Sequence, residues 1–196
     1  MNEERHKMIC PPPNFLKKYL EDLTHIFSLI NPQEFEEFIR ELNRALGKES
    51  RLFLCGNGGS AASASHFVCD LNKGVKPLIE KRFKAFCLCD NLALLTAYSN
   101  DISYESIFVE QLKNFLSADD LIIGISASGN SMNVIKAIEY GNDHGARTFG
   151  LCGFDGGKLR TIAQKSLLIN SSDMQKVEDV HLIILHCVMQ WFNQEG

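Results

Sequence analysis

Residues 52 to 60, LFLCGNGGS, are an apolar run that ends in a turn of glycine, asparagine and serine. The apolar residues predict a buried strand, and the small polar residues predict a tight turn that opens a helix. A similar arrangement recurs at residues 121 to 131, LIIGISASGNS. Such a turn directs free backbone N–H groups, hydroxyls and the positive end of a helix at one place. Two of them in one α/β unit predict a phosphorylated small-molecule ligand.

Strands and helices alternate along the rest of the chain. The predicted strands cover residues 51–55, 84–89, 121–125, 147–152 and 166–169. The helices predicted between and after them cover about residues 60–72, 91–98, 104–116, 131–140 and 174–192, with a short one after Gly157. Strands that alternate with helices form parallel sheets covered on both faces. We therefore predict an α/β fold with a doubly wound, mainly parallel five-stranded sheet flanked by helices.

Two further helices are predicted before the first strand. Apolar residues recur at helical spacing from Phe15 to Ile30, and Asn31-Pro32 is typical of the start of a second helix. We predict a single domain over residues 1–196 that has three parts. These are a loose arm at 1–13, the N-terminal helices at 14–46 and an α/β core at 51–193.

Size and charge argue against several classes of function. The chain has 196 residues, a formal net charge of -4 and 45% apolar residues, which is typical of one globular domain. No basic excess favours nucleic acid, and no apolar stretch reaches the roughly 20 residues of a membrane span. The start of the sequence lacks the apolar run of a signal peptide, and the seven cysteines are an odd number. We expect a cytoplasmic protein with reduced thiols that binds neither nucleic acid nor membrane.

The first turn also fits the dinucleotide-binding pattern G-x-G-x-x-A, from Gly56 to Ala61. That pattern needs an acidic residue about 20 positions further on, at the end of the second strand. The acidic residue at the end of the predicted second strand, Asp90, lies 30 positions past Ser60, which is too far. No Gly-Lys-Ser/Thr segment occurs either. We therefore expect no nucleotide cofactor. A tight turn that binds no ligand remains an alternative for this segment.

Serine hydroxyls distinguish the second turn. Ser126, Ser128 and Ser131 place three hydroxyls around Gly129 at the start of a helix, and Ser131 is also a candidate N-cap. Hydroxyls and backbone amides can bind a phosphate monoester without a lysine or arginine. One serine would only cap the helix, whereas three serines beside a glycine favour a phosphate site.

Two pairs of titratable residues lie at helical spacing. His66 and Asp70 are four positions apart, and Glu178 and His186 are eight apart, so each pair shares a helix face. His186 lies inside an apolar run, where a titratable group is costly without a partner. The two imidazoles and two carboxylates could surround a divalent cation, most naturally zinc. Without a metal they could act as a carboxylate base and an imidazole acid. His181 is equally consistent with a core histidine.

Several motifs occur in an order that resembles a known family. They are GNGGSA, the segment from His66 to Asp70, the pair Asn100-Asp101, GISASGNS, DGGKL and the ending from Glu178 to His186. Over about residues 15–193 the chain resembles the SIS (sugar isomerase) domain family, and within it the phosphoheptose isomerases. The resemblance implies an aldose–ketose isomerase that interconverts sedoheptulose 7-phosphate and a heptose 7-phosphate through an enediolate. It also implies a homotetramer with active sites between subunits.

The resemblance implies roles for individual residues. Contacts with the sugar phosphate fall on Asn57, Gly58, Gly59, Ser60, Asn100, Asp101, Ser126, Ala127, Ser128 and Ser131. The metal ligands fall on His66, Asp70, Glu178 and His186. The catalytic groups fall on Asp70, Glu178 and His186, with His186 as the proton donor.

Three of these positions depart from the family pattern. Asp70 stands where the family has the longer glutamate, Glu178 where it has glutamine, and Ala127 where it has threonine. The longer reach of Glu178 can offset the shorter Asp70, so either carboxylate is a candidate base. The alternative function is a non-catalytic SIS-domain adaptor or a protein that senses a sugar phosphate. Acidic groups at both positions favour catalysis.

Overall fold

The computed structural model describes residues 10–75 and 81–194. Among these residues, five strands form one sheet: β1 (Arg51–Cys55), β2 (Lys84–Cys87), β3 (Leu121–Ser126), β4 (Arg147–Gly153) and β5 (Lys165–Ile169). The strands pair in the order β2-β1-β3-β4-β5, and every pair is parallel. The predicted parallel five-stranded sheet is therefore confirmed.

Eight α-helices accompany the sheet in the described part of the chain. They are α1 (Phe15–Ser28), α2 (Pro32–Lys48), α3 (Gly59–Cys69), α4 (Leu92–Asp101), α5 (Ile107–Phe115), α6 (Met132–Asp143), α7 (Gly157–Ile162) and α8 (Met174–Gln194). The helix predicted near 104–116 is divided into a 3₁₀ turn, Tyr104–Ser106, and α5. From β1 onward helices separate successive strands, as the doubly wound prediction requires.

The predicted ends of β2 and α3 also differ from the structure. β2 ends at Cys87 rather than at residue 89, because the N–H of Cys89 turns back to the Sγ atom of Cys87 at 3.4 Å. The helix predicted as far as residue 72 ends as α3 at Cys69, and the chain continues in a π-helical turn, Asp70–Gly74. There the N–H of Val75 donates to the carbonyl of Asp70 at 2.8 Å, a spacing of five residues.

The sheet separates two hydrophobic clusters, because side chains alternate between its faces. In β1, Leu52 and Leu54 join a cluster with residues of α1, α2, α3 and α8. Phe53 and Cys55 point to the other face, where they join residues of α5, α6 and α7. Both clusters contain fully buried residues of β3, as expected for a parallel sheet covered on both sides.

The N-terminal helical pair packs on the first of these faces. Asn31 caps α2 as predicted, since its Oδ1 atom accepts from the N–H of Gln33 at 3.0 Å. The α2 side chain Phe38 is fully buried, whereas Phe15 and Leu16 of α1 are exposed by 58% and 70%. One apolar side of α1 therefore remains uncovered in a single chain. Residues 1–9 of the predicted arm lie outside the described residues.

The order of the strands places the two glycine-rich turns side by side. β1 and β3 are neighbours at the centre of the sheet, and the chain leaves them in opposite directions, toward β2 and toward β4. In doubly wound sheets the crevice at such a reversal, at the carboxyl ends of the strands, is where ligands bind. Residues 56–60 and 127–131 follow those two ends directly.

All seven cysteines are free thiols in the structure. A search of the described residues finds no helix with the length and apolar character needed to span a membrane.

Candidate active site

The first turn brings the chain from β1 into α3 within four residues. Gly58 has a φ of +54°, which favours glycine, and it stands at the N-cap position of α3. A Cβ atom on Gly56 would lie 2.8 Å from the carbonyl carbon of Ser60, so this turn also excludes a side chain there. Gly58 and Gly59 are exposed and Ser60 is buried. The exposed backbone of the turn is therefore accessible to a ligand at the start of α3.

The second turn lies between β3 and α6 and is fixed against α7. Gly129 has a φ of +65°, its carbonyl accepts from the N–H of Leu159 at 2.8 Å, and Asn130 Oδ1 accepts from the N–H of Lys158 at 3.1 Å. Ala127 is buried, and its carbonyl accepts from the N–H of Gly153 at 2.9 Å. The DGGKL segment thus serves as the support of the second turn.

Ser131 occupies the predicted N-cap position of α6 but makes no capping hydrogen bond with its side chain. Its Oγ atom instead accepts from the hydroxyl of Ser126 at 3.1 Å. The Oγ atom of Ser128 accepts from the N–H of Asn130 at 3.2 Å. Since Ser131 is the acceptor in its hydrogen bond with Ser126, its own hydroxyl proton remains available to an anionic ligand.

Asn57 and Asn133 join the two turns. The Nδ2 atom of Asn57 donates to Oδ1 of Asn133 at 2.8 Å, and Nδ2 of Asn133 donates to Oδ1 of Asn57 at 2.9 Å. Tyr104 also donates its hydroxyl to Oδ1 of Asn57, at 2.8 Å. Sequence reasoning singled out Asn57 and missed Asn133 and Tyr104. Asn133 could have been predicted as a site residue, because a side-chain amide two positions after SGNS lies in the first turn of the helix that follows.

His66, Asp70 and His186 come together where α3 packs on α8. Nε2 of His66 lies 2.8 Å from Nε2 of His186 and 3.5 Å from Oδ2 of Asp70, and Nε2 of His186 lies 3.9 Å from the same oxygen. The side chains of the two histidines are 51% and 44% exposed, whereas that of Asp70 is 13% exposed. Three of the four predicted ligands therefore form one group that is open on its histidine side.

The donor atoms of this group fit a divalent cation. One ligand atom from each of the three residues lies within 4.8 Å of the others. Oδ2 of Asp70 is buried and has no hydrogen-bond partner among the described residues. A buried carboxylate oxygen is costly without a partner, and imidazole nitrogen with carboxylate oxygen is a usual donor set for zinc. The structure therefore supports a His/Asp metal site here.

The π-helical turn holds Asp70 in this position. Asn72 donates from Nδ2 to the carbonyl of Ala85 at 2.8 Å and accepts from the N–H of Ala85 at 3.1 Å, so the turn is fastened to β2. Asn193 of α8 donates to the carbonyl of Gly74 at 3.1 Å. Turns of this kind occur frequently at functional sites. Here the turn fixes the backbone of Asp70 between the edge of the sheet and the last helix.

Glu178 lies apart from the group of three. A Cβ atom built on Gly59 would lie 2.5 Å from Cδ and 2.7 Å from Oε1 of Glu178, so the carboxylate packs directly on the first residue of α3. A carboxylate is favoured there by the positive end of the helix. No atom of Glu178 belongs to the group formed by the other three residues. The role of Glu178 as a metal ligand stays a prediction.

Asn100 and Asp101 lie at the end of α4, which extends beyond its predicted end. Both are exposed, and Nδ2 of Asn100 donates to Oδ1 of Asp101 at 2.8 Å. The structure records no hydrogen bond between this pair and either glycine-rich turn. Their contact with a substrate also stays a prediction.

The two histidines of α8 differ from each other in their burial. The apolar run around His186 suggested a buried group, but His186 faces His66 and is 44% exposed in its side chain. His181 is the buried histidine, at 1% exposed, and its Nε2 atom lies 3.3 Å from the carbonyl of Cys152. Burial lowers the pKa of His181 to about 4, so it is neutral in the folded protein at neutral pH. The core-histidine interpretation of His181 therefore agrees with the structure.

Lys176, in the first turn of α8, has partners in α1 and in the segment just before α8. Its Nζ atom lies 2.9 Å from Oδ2 of Asp22 and 3.2 Å from Oδ2 of Asp173, and 5.3 Å from the centre of the Tyr19 ring. These contacts fasten α8 to α1. Lys176 is thus used in packing α8, which carries Glu178 and His186, on α1.

A cleft of about 810 Å³ opens between α1 and the loops that follow β4 and β5. Asp22, His25, Phe154 and Lys176 are among the residues that line it. None of the predicted site residues lines this cleft. The predicted site therefore lies outside this cleft, and the side chains of His66 and His186 are about half exposed in a single chain.

Comparison with known proteins agrees with this geometry. The family model described as SIS domain matches residues 18–153. A phosphoheptose isomerase from Helicobacter pylori strain P12 is 36% identical over 171 residues, which are 87% of this chain and 84% of the relative. One from Aliarcobacter butzleri is 39% identical over 147 residues, or 74% and 77% of the two chains.

Solved structures show the same fold. The phosphoheptose isomerase of Neisseria gonorrhoeae superposes with a TM-score of 0.82 over 91% of this chain and 95% of that chain, at 24% identity. The chain therefore belongs to the SIS domain family. Within that family it falls among the phosphoheptose isomerases, which supply its curated relatives.

The contact of Glu178 with Gly59 predicts a steric effect. We expect Gly59→Ala to lower the free energy of unfolding by about 0.5–1.5 kcal/mol, because the new Cβ would displace the flexible carboxylate end of Glu178. Adding Glu178→Ala should remove most of that cost. Urea unfolding of the single and double variants measures both effects.

Gly47→Ala is the matched control for this prediction. Gly47 also lies in a helix, but a Cβ atom there meets nothing within 4 Å, so the substitution should be neutral or stabilising by up to about 1 kcal/mol. Equal effects of Gly59→Ala and Gly47→Ala would show that Glu178 does not occupy the position described.

The buried His181 predicts a dependence of stability on pH. The ordinary pKa of about 6.5 applies in the unfolded chain, so the unfolded state binds the proton first as the pH falls. Between pH 6.5 and 4 this lowers the free energy of unfolding, by about 3 kcal/mol at the lower end. In His181→Gln this contribution is absent. The difference in unfolding free energy between wild type and variant should stay constant above pH 7 and change by about 3 kcal/mol between pH 6.5 and 4. Curves of unfolding free energy against pH that stay parallel over the whole range would contradict this prediction.

Proposed function

We propose that this protein is an aldose–ketose isomerase that interconverts sedoheptulose 7-phosphate and a heptose 7-phosphate. The observation that carries the proposal is that His66, Asp70 and His186 meet where α8 packs on α3, the helix that begins at the first of two neighbouring glycine-rich turns. Phosphate-binding turns next to an acid–base group are what a phosphosugar isomerase requires. The names of the curated relatives support the same activity.

In this proposal the two turns divide the work of binding. The second turn holds the phosphate through the hydroxyls of Ser126, Ser128 and Ser131, the backbone at Ala127 and the free N–H groups at the start of α6. The first turn contacts the sugar chain through Asn57, Gly58, Gly59 and Ser60. Asn100 and Asp101 add contacts to the sugar chain. No positive side chain is needed, which allows the product to leave.

The chemical step is a proton transfer between neighbouring carbons. A carboxylate, either Asp70 or Glu178, removes the proton from the carbon next to the carbonyl, and the electron pair moves toward the carbonyl oxygen. His186 donates a proton to that oxygen, and the resulting enediol is the common intermediate. The carboxylic acid then returns a proton to the former carbonyl carbon. His186 takes the proton of the hydroxyl on the neighbouring carbon, which becomes the new carbonyl and completes the isomerisation. No redox or nucleotide cofactor takes part.

His66, Asp70 and His186, with Glu178 as the fourth predicted ligand, would hold a divalent cation, for which zinc suits the donor set. When bound, such an ion supplies a Lewis acid that stabilises negative charge on the substrate oxygen. With Asp70 Oδ2 turned to the ion, and Glu178 apart from the group of three as in this structure, Glu178 is the freer of the two candidate bases.

We also propose that the protein is a cytoplasmic homotetramer and that residues 1–196 form one SIS domain. The uncovered apolar side of α1 and the open site in a single chain support association of several copies. Sedimentation velocity of the full chain should then report four times the chain mass of 22.0 kDa. A single-chain mass at micromolar concentration would overturn this assembly.

The test of the activity is incubation with sedoheptulose 7-phosphate in deuterium oxide, followed at C1 and C2 by NMR. We expect interconversion of the two isomers with deuterium incorporation, and loss of at least about 100-fold in kcat when the base is neutralised. Asp70→Asn and Glu178→Gln identify which carboxylate that is. Asp119→Asn, on an exposed residue at the opposite edge of the sheet, is the matched control and should keep full activity.

Neither conversion nor exchange with any divalent metal would exclude this substrate. Binding of the sugar phosphate without turnover would then favour the non-catalytic sensor. Full activity in both carboxylate variants would exclude the mechanism proposed for Asp70 and Glu178.

A further inference from the structure

Asn57 belongs to a chain of hydrogen bonds whose direction is fixed at one end. Asn133 is 2% exposed, and its carboxamide pairs with that of Asn57 through two hydrogen bonds of 2.8 and 2.9 Å. Such a pair has two arrangements, in which every nitrogen and oxygen exchange places. Something outside the pair must therefore determine which side of each amide is the donor.

The backbone of α6 provides that constraint. The N–H of Val134, in the first turn of the helix, lies 2.9 Å from the Oδ1 atom of Asn133. A backbone N–H can only donate, so the atom it meets must be an oxygen. This fixes the amide of Asn133, and through the reciprocal pair it fixes the amide of Asn57. The hydroxyl of Tyr104, which could otherwise donate or accept, must donate to Oδ1 of Asn57 at 2.8 Å.

Two groups of this chain remain free for a ligand, because the remaining N–H of Asn133 belongs to a side chain that is only 2% exposed. Oδ1 of Asn57 accepts two hydrogen bonds, from Asn133 and Tyr104, and is saturated. Nδ2 of Asn57 uses one of its two protons on Asn133 and keeps one N–H. Tyr104 has used its only proton, so its oxygen can only accept, and this side chain is 57% exposed. One donor and one acceptor thus remain, the combination that a sugar hydroxyl can satisfy with its own oxygen and proton.

We propose that Asn133 and Tyr104 are positioning residues that hold Asn57 with an N–H directed to the substrate. With the amide reversed, Asn57 would present an oxygen to an anionic sugar phosphate, which is unfavourable. The α6 backbone fixes the orientation of the Asn133 amide, which fixes that of Asn57 and makes Tyr104 a donor. The start of α6, which follows the second turn, thus determines that the first turn presents an N–H to the ligand. The inference rests on the proposed isomerase function and adds two residues to its site.

A double-mutant cycle between Tyr104 and Asn57 tests the inference. The four proteins are the wild type, Tyr104→Phe, Asn57→Ala and the double variant, and the measured quantity is kcat/KM for sedoheptulose 7-phosphate. We expect Tyr104→Phe to lower kcat/KM about tenfold in the wild-type background, mainly through KM, and by less than about twofold in the Asn57→Ala background. Asn133→Ala should behave in the same way, because it acts through the same amide.

Tyr140→Phe is the matched control, since Tyr140 lies later in α6 and stacks on His144. It should leave kcat/KM unchanged. Equal losses from Tyr104→Phe in both backgrounds, or no loss in the wild-type background, would overturn the positioning role.

Failure of the proposed function gives a different result. Absence of turnover in the wild type overturns the isomerase assignment, and the hydrogen-bond chain is then judged from urea unfolding of the same four proteins. A coupling of about fivefold in the unfolding equilibrium constant between Tyr104→Phe and Asn57→Ala supports the chain. Additive effects on unfolding mean that Tyr104 does not bond to Asn57 in solution, and the inference fails.

Discussion

The close packing of α8 on α3 is the constraint on which the site depends. It brings Nε2 of His186 to 2.8 Å from Nε2 of His66, and it brings the carboxylate of Glu178 against Gly59. The second contact is possible only because Gly59 has no side chain. Gly59 follows the pattern of a phosphate-binding turn. It is also the residue of α3 on which α8 packs through Glu178.

The main elements of the fold could be predicted because their signals are local. An apolar run followed by glycine and serine predicts a buried strand and a turn, and both β1 and β3 follow that pattern. The grouping of His66 and Asp70 follows from helical spacing alone, since residues four apart share a face. Their meeting with His186 joins residues 120 positions apart in the sequence. It was predicted from the need of His186 for a partner and from the family resemblance.

Other features could not be predicted, because they depend on contacts distant in sequence. Whether His181 or His186 is buried depends on which face of α8 meets the sheet, and an apolar run on both sides of each histidine does not decide this. The ties of Asn72 to Ala85 and of Asn133 to Asn57 join residues that are 13 and 76 positions apart in the sequence. The first of these ties fastens the π-helical turn that begins at Asp70 to β2.

Zinc-edge anomalous diffraction from crystals of the full chain, grown with one equivalent of zinc, is the most direct test of the central claim. The account predicts one strong peak bonded to Nε2 of His66, Nε2 of His186 and the carboxylate of Asp70, at about 2.0–2.2 Å from each. A principal peak elsewhere, with Oδ2 of Asp70 still without a partner, would contradict it.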